Sequence, residues 1–147
     1  ELSDELIVAS DSDIENIRRI HDYIIDNSIY DSDRSDYNIT TYQSDIAYGP
    51  LLEGYGICGG YTDAMELFLE ELGIKSYKIS SDQHVWNAVY LDNTWYHLDL
   101  TWDDPVTTSG KNVLEHNFFL IDTSTLLSIE QTEHRFNQSI YSELKEA

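Results

Sequence analysis

The chain has 147 residues, 41% of them hydrophobic, which suits one folded domain with a buried core. Its formal charge of −20 comes from 28 acids spread along the chain against 8 bases; such a field repels phosphate backbones and anionic lipid, so nucleic acid and membrane surfaces are poor partners. No apolar run approaches the roughly 20 residues of a membrane-spanning helix. The single cysteine, Cys58, excludes an internal disulfide and a cysteine-rich metal site.

The order of predicted elements is helix, loop, helix, then strands. Asp11-Ser12-Asp13 offers N-cap chemistry, and Ile14, Ile17, Ile20, Tyr23 and Ile24 at helical spacing predict a first helix to about Asn27. Residues 30–48 read as an irregular surface loop. Asp31, Asp33 and Ser35 start like a calcium loop, but Asp36 and Tyr42 stand where the motif needs a glycine and an acid, so no metal is expected. After turn-rich residues 49–56, Tyr61, Ala64, Met65, Phe68, Leu69 and Leu72 predict an amphipathic helix that opens at Cys58 and is capped by Gly73.

Strands are predicted at residues 74–80, 84–91, 94–101 and 118–121, with Asp92-Asn93 as a tight hairpin turn. Residues 126–144 read weakly as helix or as irregular structure. Segregated elements of this kind predict an α+β fold with helices packed on an antiparallel sheet. No linker composition divides the chain, so residues 1–147 are read as a single domain.

A cysteine at a helix start meets unpaired backbone N–H groups and a partial positive charge, both of which favour thiolate. Gly59 and Gly60 build helix poorly; they suit either a close approach to the backbone or a tight entry turn. If the hairpin turns at Asp92-Asn93, Leu91 faces Thr94 and Trp86 faces Asp99. His84 then shares a face with Asp99 as a diagonal neighbour, with Cα atoms about 7–8 Å apart. A three-residue loop would separate them onto opposite faces. A carboxylate on one ring nitrogen fixes the histidine tautomer and frees the other nitrogen for a thiol proton. His97, on the same face, is a rival base. His21 reads as a partly buried helix residue, and His116 and His134 belong to no constellation in the sequence.

Three blocks then carry a resemblance: Gly56-Ile57-Cys58-Gly59-Gly60-Tyr61, His84-Val85-Trp86-Asn87-Ala88-Val89, and the run from Trp95 to Pro105 that reads WYHLDLTWDDP. In order and spacing they resemble the transglutaminase-like superfamily, most closely its bacterial, often surface-exposed members, over roughly Ile14 to Phe119. The resemblance implies a papain-like fold, a Cys58–His84–Asp99 catalytic triad and no cofactor. The implied reaction is acyl transfer on a protein or peptide, at a Gln side chain or a peptide amide, through a thioester released to water or to a primary amine. The backbone N–H of Cys58 would be one oxyanion donor. Tyr48 is a candidate for the other, and Trp102 a candidate wall of the cleft. The competing expectation is a silent transglutaminase-like binding or scaffold module. An unpaired thiol, an acidic surface and the lack of an initiator Met suit the mature part of a bacterial secreted or cell-surface protein.

Overall fold

The computed structural model describes residues 6–31, 37, 40, 43–81, 84–103, 116–129, 134 and 136. Helix α1 (Asp13–Asp26) is capped by Ser12, whose Oγ accepts from the Glu15 amide at 3.2 Å and lies 3.1 Å from the Glu15 carboxylate. A cap of this kind contributes about 1 kcal/mol. Strand β1 (Ile29–Tyr30) pairs in parallel with β2 (Tyr55–Gly56), and a π-helical turn at Gly49–Glu53 leads into β2. Helix α2 (Cys58–Glu71) follows, then β3 (Ser76–Ser80), β4 (Val85–Leu91), β5 (Thr94–Leu98) and a short α3 (Thr123–Ile129).

Strands β3, β4 and β5 form an antiparallel sheet in that order, so the fold is α+β with helices on an antiparallel sheet. One face of the sheet carries Val89, Leu91 and Leu98. They pack with Ile17, Ile20, Ile24 and Ile25 of α1 and Ala64, Met65, Phe68 and Leu69 of α2. The opposite face carries Trp86, Ala88 and Trp95, which pack with Ile79, Phe118, Leu126 and Phe136. The alternation of side chains along β4 supplies both cores at once.

The hairpin turns at Asp92-Asn93 with both φ angles positive (50° and 64°), and Leu91 pairs with Thr94 as the two-residue loop requires. Several boundaries differ from the sequence reading. Residues 118–121 form no strand: Leu120 has φ 51°, and only Ile121 makes a bridge, exchanging backbone bonds with His97. Thr123–Ile129 is helical, starting before the predicted weak helix, of which residues 130–133, 135 and 137–144 lie outside the described residues. Ile14 is 47% exposed, because it sits beside Gly73 and Ile74 at the end of α2, past the shared core. The segment 30–48 is not wholly a surface loop: Asp31 and Ser44 are buried, and the Ser44 hydroxyl donates to the Asp31 carboxylate at 2.7 Å. The failed calcium motif at Asp33, Ser35, Asp36 and Tyr42 lies outside the described residues.

The glycines after Cys58 are explained by close approach. The backbone of Ser44–Ile46 lies against the first turn of α2, where the Ile57 amide donates to Ser44 O at 2.9 Å. A Cβ on Gly60 would stand 2.1 Å from Ser44 O, and one on Gly59 2.7 Å from Asp45 O. These contacts are backbone and cannot swing aside. Gly60→Ala is therefore expected to cost about 1–3 kcal/mol by overpacking, read as a fall in urea midpoint at unchanged slope. A Gly60→Ala protein as stable as the parent would show that this approach is not tight.

Candidate active site

Cys58 is the first residue of α2, with Ile57 as its extended N-cap. His84 immediately precedes β4 and Asp99 immediately follows β5. Pairing of Asn87 with Leu98 carries the register on to these strand ends and puts them together. His84 Nε2–H donates to Asp99 Oδ2 at 2.6 Å, and both side chains are almost fully buried. Cys58 lies close enough to the same imidazole to help raise its pKa.

Two side chains fix α2 against the start of β4. Thr62 Oγ1, one turn into the helix, lies 2.6 Å from Cys58 O and 3.2 Å from Val85 O. Asn87 Nδ2 donates to Thr62 O at 3.1 Å and lies 3.2 Å from Glu66 Oε2. The Asn of the H-x-W-N block thus sets the distance between the thiol-bearing turn and the histidine-bearing strand.

Asp99 is 2% exposed. Its Oδ1 accepts from the Trp102 amide at 3.2 Å, and its Oδ2 accepts a second imidazole, His134 Nε2, at 2.6 Å. Burial alone would raise the Asp99 pKa. The charge of His84 and the hydrogen bonds from His134 and His84 outweigh it and hold the carboxyl at about 2. Burial alone would likewise lower His84. The charge and hydrogen bond of Asp99, aided by Cys58, instead lift it to about 10. The pair is an imidazolium and a carboxylate at neutral pH.

The other candidates fall in different places. Trp102 stacks at a tilt on His134 and Phe118, with centroids 5.5 and 5.8 Å apart, so it walls the buried side of Asp99. Tyr48 is 46% exposed and lines a groove with Ile46, Asp63, Glu66 and Leu67 along α2. His97 is not beside the thiol. Its Nδ1 accepts from Trp86 Nε1 at 2.9 Å, its Nε2 is 2.9 Å from Thr123 Oγ1, and burial with the charge of His134 pushes it down to about 4. It is a buried neutral ring of the aromatic core.

The sequence reading missed His134, which lies in a box of Trp86, Trp102 and Phe118 rings. No local pattern marks it, 35 residues from its partner Asp99. His21 and His116 are corrected too. His21 is fully buried, with Nε2 2.8 Å from Asp103 Oδ2, and His116 Nε2 is 2.7 Å from Asp22 Oδ1. Asp103 is buried, which raises its pKa against the hydrogen bond and charge of His21, and its Oδ1 accepts from the Phe118 amide at 2.8 Å. The signal was present in H-D on the first helix and T-W-D-D after Asp99, but nothing in spacing says that they meet.

These shifts give stability a defined pH dependence. His84 contributes fully below its unfolded pKa of 6.5, and that contribution is lost as pH rises through about 10. Asp99 contributes above 3.8 and loses its contribution as pH falls through about 2. Urea unfolding from pH 6.5 to 10 is expected to show an alkaline decline that is much reduced in Asp99→Asn, which lacks the main cause of the raised His84 pKa. An equal decline in both proteins would contradict the ion pair.

The family model described as the Transglutaminase-like superfamily matches residues 1–100. Kyphoscoliosis peptidase of Mus musculus is 29% identical over 154 residues, covering 88% of this chain and 22% of the mouse protein. The chain therefore spans under a quarter of that relative. Among solved structures, a TGase superposes with a TM-score of 0.55 at 16% identity, over 63% of this chain and 27% of that one. A Cytophaga hutchinsonii protein assigned as a cysteine protease superposes at 0.53 and 18% identity, over 68% and 35%. These two share the fold, and cysteine-based acyl transfer and peptide hydrolysis are the general chemistry of the superfamily. Because the family match extends over more than half of its length, the chain belongs to the transglutaminase-like superfamily.

Proposed function

We propose that the chain is a thiol-dependent acyltransferase or hydrolase acting on protein or peptide amides, with Cys58 as nucleophile, His84 as acid and base, and Asp99 as the group that orients His84. The observation that carries this reading is the 2.6 Å contact of His84 Nε2 with Asp99 Oδ2, with Cys58 at the start of α2 near enough to the same imidazole to help raise its pKa.

The chemistry follows from that arrangement. The reacting form pairs a Cys58 thiolate with the His84 imidazolium, whose raised pKa keeps its proton in place at neutral pH. The sulfur attacks the amide carbonyl, and the developing oxyanion is stabilised by the Cys58 backbone N–H, which the helix start leaves without an intrahelical partner. His84 then donates its proton to the departing nitrogen as the C–N bond breaks, leaving a thioester. Neutral His84 next takes a proton from water or a primary amine, which attacks the thioester; the C–S bond breaks, the acyl group leaves as an acid or a new amide, and the thiolate and imidazolium are restored. Asp99 holds its charge throughout and keeps the Nε2–H of His84 directed at itself. His134 supplies Asp99 with a second donor and so fixes the carboxylate. Tyr48 as a further oxyanion donor would need to turn from its groove toward the sulfur.

Mass spectrometry of a Gln-containing peptide library, with and without a primary amine, separates deamidation, peptide cleavage and cross-linking. Cys58→Ala is expected to abolish all turnover at a stability cost of about 1 kcal/mol or less. His84→Ala should be nearly as damaging, and the double variant no worse, because the two groups act as a unit. Turnover unchanged in Cys58→Ala would refute Cys58 as the nucleophile, and absence of turnover in the parent would leave the scaffold module.

A further inference from the structure

A second cluster of donors lies outside the thiol site. His21 and Asp22, neighbours on α1, meet His116 from the segment after the third motif block. His21 Nδ1 is 2.8 Å from Asp22 Oδ1, and His116 Nε2 is 2.7 Å from the same oxygen. One donor atom from each of the three lies within 4.8 Å of the others. The two rings stack with centroids 5.2 Å apart, and Phe119 packs edge-on against both. His21 is buried, while Asp22 and His116 are about 30% exposed, so the cluster opens to solvent on one side.

We propose that His21, Asp22 and His116 form a binding site for a divalent transition-metal ion of the zinc class, oriented by the buried carboxylate of Asp103. Two imidazole nitrogens and one carboxylate oxygen form a donor set that zinc takes in three-ligand sites, with a fourth position left to water. Zinc bonds of about 2.0–2.2 Å put neighbouring donors roughly 3.3 Å apart in a tetrahedron. Asp22 Oδ1 therefore has to draw back by about half an ångström from each ring, a small rotation for a half-exposed side chain. The outer partner is already built. His21 Nε2 faces Asp103 Oδ2 at 2.8 Å, and Asp103 Oδ1 is held by the Phe118 amide. A histidine that ligates through one nitrogen commonly donates its other N–H to a carboxylate in this way. Among the described residues, the cation at Asp22 is Arg18, which stands 3.9 Å from its other oxygen on a side chain 59% exposed and leaves Oδ1 available. The net charge of −20 concentrates cations around the chain. An ion here joins α1 to residues 116–119. Through His21 and Asp103, whose amide donates to Asp99 O at 3.2 Å, it braces the turn that carries Asp99.

The test is competition for Zn²⁺ between a chromogenic chelator and tag-free full chain stripped of metal, with thermal midpoints recorded in metal-free and zinc-loaded buffer. Parent protein is expected to bind one Zn²⁺ and to gain thermal stability from it. His116→Ala and Asp22→Asn, both changes at half-exposed positions, should lose the bound ion while keeping a cooperative metal-free transition. Asp103→Asn should weaken binding by about 10–100-fold. Cys58→Ala and His134→Ala should bind as the parent does. Absence of stoichiometric binding, its persistence in His116→Ala, or its loss in Cys58→Ala or His134→Ala would each overturn the proposal; the last would move the ion to the thiol site. Alkylation of Cys58 in His116→Ala, which should match the parent, separates this result from failure of the enzyme reading.

Discussion

Asp99 carries the constraint on which the rest of the site depends. A carboxylate buried without partners costs several kcal/mol, so the chain must bring donors to it. Among the described residues three arrive from different parts of the sequence: the ring of His84 at the entry to β4, the ring of His134, and the Trp102 amide from the turn after β5. Each donor ties an element to the same point. The hairpin register, the turn of residues 100–103 and the position of residue 134 are thereby coupled through one side chain. The same charge holds His84 protonated at neutral pH, so the interaction that satisfies the buried acid also prepares the ring that faces the thiol.

The thiol side is set by packing. Helix α2 is pressed between the hydrophobic face of the sheet and the backbone of Ser44–Ile46, and only glycines at 59 and 60 allow that second contact. With the loop seated on one side and Thr62 and Asn87 tied to α2 and β4 on the other, the first turn of the helix has little room to rotate. A nucleophile held on such a turn needs no rearrangement to meet its base.

The two faces of the sheet have divided roles. One face buries aliphatic residues under α1 and α2 and fixes the scaffold. The other buries Trp86, Trp95, Phe118 and Phe136, with His97 and His134 among them, and surrounds Asp99 with low-dielectric aromatic walls. Weak screening there strengthens the Asp99–His84 interaction and also keeps His97 neutral, so one environment drives two histidines in opposite directions. The difference is the partner: His84 faces a carboxylate, whereas His97 faces the Trp86 indole and the Thr123 hydroxyl.

By itself the sequence determined what local periodicity and turn chemistry can encode. The helix from Cys58, the Asp92-Asn93 turn and the resulting common face of His84 and Asp99 follow from spacing along the chain, since a two-residue loop fixes which residues oppose. The three motif blocks carried the family for the same reason, each being contiguous. Tertiary structure alone decided the partners that come from afar. His134 reaches Asp99 across 35 residues, and His21 reaches Asp103 across 82. The loop that presses on Gly60 comes from residues 44–46, with no pattern to announce it. No periodicity encodes such meetings, because they depend on how helices and loops close over the sheet, and that closure is set by the summed burial of many side chains.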